Sequence, residues 1–403
     1  MTRFKKILIA IPSYWIFSRK TEFVHKGYEL YDHPIRVPRY ETLSRLLRSM
    51  KTLDTKGLEV RIIILVASPH ETKRYENLIR HLIGKTEMKT GLDVVFESTL
   101  GRIKDKLGGE GYPSVKDDIG LEGYSNVRNA GLFLAQLLDY DAVFFLDDDV
   151  VIRDRDLLKR VIETSKRMDA GLVGGVYVNR GGGYVPEGKA PFWKTFWDKN
   201  KYINQVFQEF KDKDVLDTIL MFGGNMFVSK QIFRKVPFDP LVPRGEDIDY
   251  AINAKHFGFG TVLDRGVAVT HLPPRGHRTY ILNYWSKLRG DTFRFLYETQ
   301  KLSAMGMSVD SLPVYPKVFL KNTKLKATAT TLFIVPSCIT LLDFNSLKEN
   351  LLNIKRSFWD FPRNAKMHRG DYFRFQREWE TLMSVIESER DRGNIPSDIR
   401  GWL

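Results

Sequence analysis

The chain has 403 residues, 43 % hydrophobic and 12 % aromatic, which is enough to fill a core and excludes a compositionally disordered protein. Its 63 Lys and Arg against 49 Asp and Glu leave a net charge of +14, favouring anionic partners such as nucleotides, phosphorylated substrates or acidic lipid headgroups. The single cysteine, Cys338, excludes an internal disulfide framework and fits the cytoplasm; no RNP-type aromatic signature, zinc-finger spacing or basic heptad array is present, so nucleic acid is not an expected partner.

The N-terminal stretch MTRFKKILIAIPSYW starts basic, but its apolar run stops at Pro12, too early for a secretory signal, so KILIAIP (6–12) reads as a first strand. Further strands are expected at VRIIILVAS (60–68), LDVVFES (92–98), DAVFFLD (141–147), AGLVGGVYV (170–178) and TVLDRGVAVTHL (261–272). Between them lie amphipathic helical patterns such as TLSRLLRSMKTL, HETKRYENLIRHLIG, NVRNAGLFLAQLL and RDLLKRVIETSKRM. Strands rich in Val, Ile and Leu that alternate with helices predict an α/β fold with a mostly parallel sheet covered on both faces. Two segments, 15–39 and 101–123, read as long loops. The composition shifts near Leu302, so a main domain over 1–300 and a mainly helical extension over 301–403 are expected. The most lipid-like segment, Thr331 to Leu342, falls short of the roughly 20 residues of a spanning helix and is interrupted by Pro336. The basic, aromatic tail still permits peripheral contact with the inner face of a membrane, although a solvated helical extension explains it equally well.

Three motifs carry chemistry. FFLDDDVVI sets Asp147, Asp148 and Asp149 at the end of an apolar strand, where ionised carboxylates need a compensating charge. A hard cation, Mg²⁺ or Mn²⁺, with open positions for a diphosphate would supply it. PRGEDIDY places Glu246 and Asp247 at a helix start; these acids complement the helix dipole, and one of them can also take a proton from an attacking hydroxyl. His271 ends the last strand and can complete a metal site, and the PPRGHR that follows offers Arg275, His277 and Arg278 as donors to a diphosphate.

The order LDDDV, FGGNMFVSKQIF, FDP, RGEDIDYAINAKHFGFG and a strand ending in His271 resembles the nucleotide-sugar glycosyltransferases of the GT-A fold, especially family 2, over roughly residues 5–280. SNVRNAGL resembles that family's segment before the metal-binding strand. The resemblance implies a GT-A, Rossmann-like sheet and transfer of a sugar from a nucleoside diphosphate to a hydroxyl, with inversion. It assigns Asp149, Asp147 and His271 to the metal, and groups Asp147, Asp148, Arg128 and Asn129 with the donor. Asp247 becomes the base with Glu246 beside it, and Gly223, Gly224 and Asn225 line the sugar and acceptor pocket. Family 2 members carry PxYNE after the first strand and an aspartate after the second; here IPSYW and LVAS stand there, so Pro12 and Ser68 fall in the nucleotide pocket. A UDP-sugar is expected ahead of a GDP-sugar, with a glycan, a lipid-linked glycan or a small polar molecule as acceptor.

Two other readings compete. FFLDDDVV also matches the nucleophile loop of haloacid-dehalogenase-type phosphatases, but that loop follows the first strand of its core, whereas several strand–helix units come first here. A non-catalytic scaffold on the same fold would not need both acidic motifs, and both are present.

Overall fold

The computed structural model describes residues 4–16, 24–25, 28–29, 35–36, 40–68, 72–88, 90–107, 115–184, 192–273 and 284–395. Eight strands form the main path of one mixed sheet: β1 (Lys6–Ile16), β2 (Glu59–Ala67), β3 (Gly91–Val95), β4 (Ala142–Leu146), β5 (Leu172–Val178), β6 (Val215–Asp217), β7 (Asn225–Ser229) and β8 (Thr261–His271). Their order across the sheet is β6-β8-β5-β7-β4-β1-β2-β3. β1 pairs in parallel with β2 and β4, β2 with β3, and β5 with β8, whereas β7 runs antiparallel between β4 and β5 and β6 antiparallel along β8. The short strands Ile35–Arg36 and Val150–Val151 pair with the ends of β1 and β8.

The helices are α1 (Glu41–Met50), α2 (Lys73–Gly84), α3 (Glu97–Lys106), α4 (Tyr124–Leu137), α5 (Leu157–Arg167), α6 (Lys199–Phe207), α7 (Glu246–His256), α8 (Tyr284–Ala304), α9 (Val314–Thr340), α10 (Phe344–Phe358), α11 (Asp360–His368) and α12 (Asp371–Asp391), besides single turns. Side chains alternate across a strand, so β1 feeds two cores. Ile7, Ile9 and Ile11 join Leu43, Leu46 and Leu47 of α1 on one face, while Leu8 and Ala10 join Phe133 and Leu134 of α4 on the other. The result is the α/β fold with helices on both faces that the sequence predicts.

Three sequence expectations change. β7 is a strand that the sequence does not announce, because its five residues after two glycines show no alternation that marks a strand. The 15–39 segment begins inside β1, where Trp15 is fully buried, and Ile35–Arg36 pairs with Trp15 and Ile16. The 101–123 segment is helical at both described ends: Gly101–Lys106 completes α3, whose Leu100 and Ile103 face the core, and Val115–Asp118 makes a further turn.

From Tyr284 onward the described chain is almost wholly helical, and residue 302 falls within α8. α12 returns to the sheet domain: Trp379 is fully buried and donates to the Phe233 carbonyl at 2.8 Å, and Gln136 of α4 donates to the Met383 carbonyl at 2.8 Å. An aromatic ring of this size removes on the order of 200 Å² from water, roughly 5 kcal/mol before entropic costs. α9 is kinked at Asn322 and continues through Pro336, whose missing N–H costs one backbone bond without ending the helix. Among the described residues no helix is long and apolar enough to cross a membrane.

α8 also locks α7 in place. Lys301 is fully buried and pairs with Asp239, at 2.9 Å, and with Asp249 of α7, while Tyr297 donates to Asp239 at 2.8 Å. Removing the cation leaves two buried carboxylates without a counter-charge, so Lys301→Met should cost about 3–5 kcal/mol in urea unfolding. A loss below about 1 kcal/mol would show that the carboxylates do not depend on Lys301.

Candidate functional site

The strand ends that carry the acidic motifs surround one cavity of roughly 300 Å³. Pro12, Ser13 and Tyr14 of β1 line it with Ala67 at the end of β2, Asp147 to Asp149 after β4, Tyr177 of β5 and His271 of β8. Tyr124, Val127 and Arg128 of α4 close one wall, and Phe222, Gly223 and the stretch Arg244 to Asp247 another. This is the carboxyl edge of the parallel strands, where chain reversals open a crevice in α/β sheets.

The three aspartates have different partners. Asp147 accepts from the Tyr177 hydroxyl at 2.7 Å and lies 3.6 Å from an Arg128 nitrogen. Burial pushes its pKa up; Arg128 opposes that and Asp149 adds to it. Asp148 turns toward β1 and accepts from the Ser13 hydroxyl at 2.7 Å; burial and then the Asp149 charge hold its pKa well above the ordinary value. Asp149 lies 3.2 Å from His271 Nε2, and the His271 ring stacks on Tyr177 with centroids 4.8 Å apart. Burial works against a charged imidazole at His271, but the hydrogen bond and charge of Asp149, with Asp147 beyond, outweigh it and raise its pKa.

Arg128 connects this edge to the second acidic motif. Its Nε meets Glu246 Oε1 at 2.9 Å, its Nη1 donates to the Gly223 carbonyl at 2.8 Å, and its guanidinium lies over the Phe145 ring. Desolvation opposes that charge, but Glu246 and Asp147 more than compensate and the net shift is upward. Asp247 accepts from the Gly223 amide at 2.9 Å and the Ile248 amide at 2.8 Å. Burial, then Glu246, raises its pKa to about 6 against the opposing charges of Arg294 and Arg128. Gly245, at φ +70°, starts α7 in the left-handed region; a side chain there would also overlap the Arg294 guanidinium.

Most of the sequence-predicted residues therefore meet in one place: Pro12, Asp147, Asp148, Asp149, Arg128, Gly223, Glu246, Asp247 and His271 all line the cavity. Ser68, the residue after Ala67, is not among the residues that line it. Two asparagines are held elsewhere. Asn129 donates to the Phe238 carbonyl and accepts from its amide, at 2.9 and 2.8 Å, and Asn225 donates to the carbonyls of Val176 and Val267 across the bulge in β8. Both are fully buried, which corrects their expected places beside donor and acceptor. Gly224 does not line the cavity; a Cβ there would lie 1.9 Å from the Asp147 carboxyl carbon, so it clears space for that side chain. Arg275 and Arg278, with His277, lie outside the described residues.

Sequence reasoning missed Tyr177, Ser13 and Arg294. A polar aromatic at the carboxyl end of the strand AGLVGGVYV was the available signal for Tyr177, and the residue after Pro12 for Ser13; nothing local marks Arg294, which reaches the site from α8.

Asp147, Asp149 and His271 offer two carboxylates and an imidazole to the same cavity, a donor set that suits Mn²⁺ and, through the carboxylates, Mg²⁺. Among the described residues no group of three or more His, Cys, Asp or Glu side chains is gathered closely enough to hold an ion alone. The mutual repulsion of Asp147 and Asp149 is the feature that fits a cation, whose remaining positions would fall to phosphate or water.

No family model matches this chain, and no curated protein does. Among solved structures it is similar to a mannosyltransferase from Pyrobaculum calidifontis in complex with GDP-Man and Mn²⁺, at 13 % identity over 98 % of this chain and 88 % of that one, with a TM-score of 0.44. It is also similar to residues 1–349 of S. aureus TarS in complex with UDP-GlcNAc, at 12 % identity over 96 % and 92 %, with a TM-score of 0.39. A mycobacterial protein gives 13 % identity over 75 % and 76 %, with a TM-score of 0.42.

The packing at Gly224 is testable by a single methyl. Gly224→Ala should displace Asp147 from Tyr177 and cost about 1–3 kcal/mol in thermal unfolding. Gly101→Ala, in a helix with open space around it, should instead gain about 0.5–1 kcal/mol. Equal midpoints for the two variants would refute the close approach.

Proposed function

We propose that this protein is a cation-dependent glycosyltransferase that moves a sugar from a nucleoside diphosphate to a hydroxyl acceptor, with inversion. The observation that carries the reading is the Arg128 bridge, which joins the Asp147–Asp149 strand end and the Glu246–Asp247 helix start in one cavity.

Asp149, Asp147 and His271 would hold the cation, Mn²⁺ or Mg²⁺, which when bound stabilises the charge on the departing nucleoside diphosphate. The chain's own groups do the rest. The β1 and β2 ends, with Pro12, border the nucleotide, with UDP expected ahead of GDP. Arg128 is already neutralised by Glu246 and Asp147, so its role is to fix both carboxylates. Asp247 takes the acceptor proton: two backbone amides orient its carboxylate, and a pKa of about 6 leaves it mostly ionised near neutrality yet basic enough to accept. Gly223, its carbonyl held by Arg128 and its amide by Asp247, lines the sugar pocket without a side chain, and Glu246 restrains the wall beside the acceptor. A single displacement needs the leaving group and the base served by different groups, as here. The acceptor, a glycan, a lipid-linked glycan or a small polar molecule, enters past Asp247.

Two variants separate the roles. Asp149→Ala should abolish Mn²⁺-dependent binding of UDP- or GDP-sugars in calorimetry. Asp247→Asn should bind donor nearly as well as wild type and lose about 10²–10⁴-fold in transfer rate; wild-type turnover in that variant would remove Asp247 as base.

A pH profile gives an independent check. Because the base works only when deprotonated and its pKa is raised to about 6, kcat/KM should fall about tenfold per pH unit below that value and level off above it. The limb should be absent from the residual activity of Asp247→Asn. An acid limb near pH 4 in the wild type would mean that burial does not raise this group.

A further inference from the structure

The largest unexplained feature lies away from the cavity, on the hairpin of α9 and α10. Among the described residues, eleven of the fourteen exposed large apolar side chains lie between Leu325 and Met367. They form stripes: Leu325, Leu332 and Ile339 recur every seven residues along α9, and Phe344, Leu351 and Phe358 do the same along α10. A seven-residue repeat keeps side chains on one helix face, and here that face points to solvent. Phe196, from the turn Phe192–Trp197, extends the patch by packing on Phe333 with ring centroids 5.3 Å apart.

The tip is the most apolar part. Ala327 to Leu342 contains no charged residue, and the turn exposes Leu341 and Leu342 at 60 % and 72 %. Leu342 has φ +53°, a conformation that turns in water normally give to Gly or Asn. An exposed leucine held there against both solvation and backbone preference has an outlier's claim to function.

The charges identify the partner. Lys348 and Lys355 alternate with Phe344, Leu351 and Phe358 at spacings of three and four, so they share the exposed stripe of α10. Arg363 and Lys366 are exposed on α11, which starts at the exposed Asp360, whereas Lys321, before the Asn322 kink, is paired with Asp310. Glu349 is turned away and paired with Arg289. A symmetric contact between two copies along the α10 stripe would set lysine against lysine, which disfavours it. Apolar and aromatic side chains interleaved with long cationic ones, on helices too short on apolar length to span a bilayer, are what a lipid interface accommodates.

We propose that the α9–α10 hairpin is a monotopic anchor whose Leu341–Leu342 tip and flanking stripes enter the interface of an anionic phospholipid leaflet. Phe319 of α9 packs on Trp197 and Phe295, and Trp197 donates to Asp291 of α8 at 3.2 Å, so the anchor is rigidly attached to the domain that carries the cavity. The proposal does not depend on glycosyl transfer.

Co-sedimentation of the full chain with vesicles tests it, using phosphatidylcholine alone and phosphatidylcholine with a quarter phosphatidylglycerol. Binding should be at least about tenfold stronger to the anionic vesicles. The double variant L341E/L342E should lose about tenfold or more of that binding with an unchanged thermal midpoint. K348E/K355E should lose binding to the anionic vesicles selectively. No binding by the wild type, or wild-type binding by L341E/L342E, overturns the anchor; equal binding of wild type and K348E/K355E overturns the anionic partner. A wild-type dimer that L332E converts to a monomer, with no vesicle binding by either, assigns the face to a second copy instead.

Discussion

The site depends on one buried guanidinium. Arg128 is almost fully excluded from solvent, and a cation there is tolerable only if its charge and its donors are satisfied together. They are satisfied from three separate parts of the chain: Glu246 at the start of α7, the Gly223 carbonyl before β7, and Asp147 at the end of β4. Each contact fixes one wall of the cavity relative to the others. The two glycines follow from it, since a Cβ at Gly223 would meet the guanidinium and one at Gly224 would meet the carboxylate it faces. A lysine could not reproduce this arrangement, because the planar fork reaches several acceptors at fixed angles whereas an ammonium is a point charge.

The parts of the fold that can be read directly are those whose signal is local. Runs such as ILIAI and IIILVA are fully apolar because both faces are buried there, and the strands that contain them start within one residue of their expected bounds. β7 is not legible because its antiparallel insertion between β4 and β5 is decided by the sheet, and its five residues follow a loop shaped by Arg128 and Asp147. The chemistry-bearing carboxylates are legible for the opposite reason: three adjacent aspartates after FFL contradict their surroundings unless something compensates them. Asn129 and Asn225 mislead because a buried amide that satisfies backbone groups looks, in sequence, the same as one aimed at a ligand. Arg294 carries no local mark at all, since its relation to Asp247 exists only once α8 has docked on α7.

Electrostatics then explains why a protein of net charge +14 keeps an acidic pocket. Five carboxylates line the cavity against the guanidiniums of Arg128 and Arg244, with Arg294 packed on Gly245 behind them. Burial pushes Asp147, Asp148 and Asp247 toward their neutral forms, so the pocket by itself resists full ionisation. An anionic diphosphate entering such a pocket would meet repulsion. The proposed cation reverses that sign at the Asp147–Asp149 end and leaves Asp247 beyond Arg128 with its own hydrogen bonds from two backbone amides. The bridge therefore separates as well as joins: it ties both acidic motifs to one frame while its positive charge screens the base from the carboxylates that would hold the leaving group.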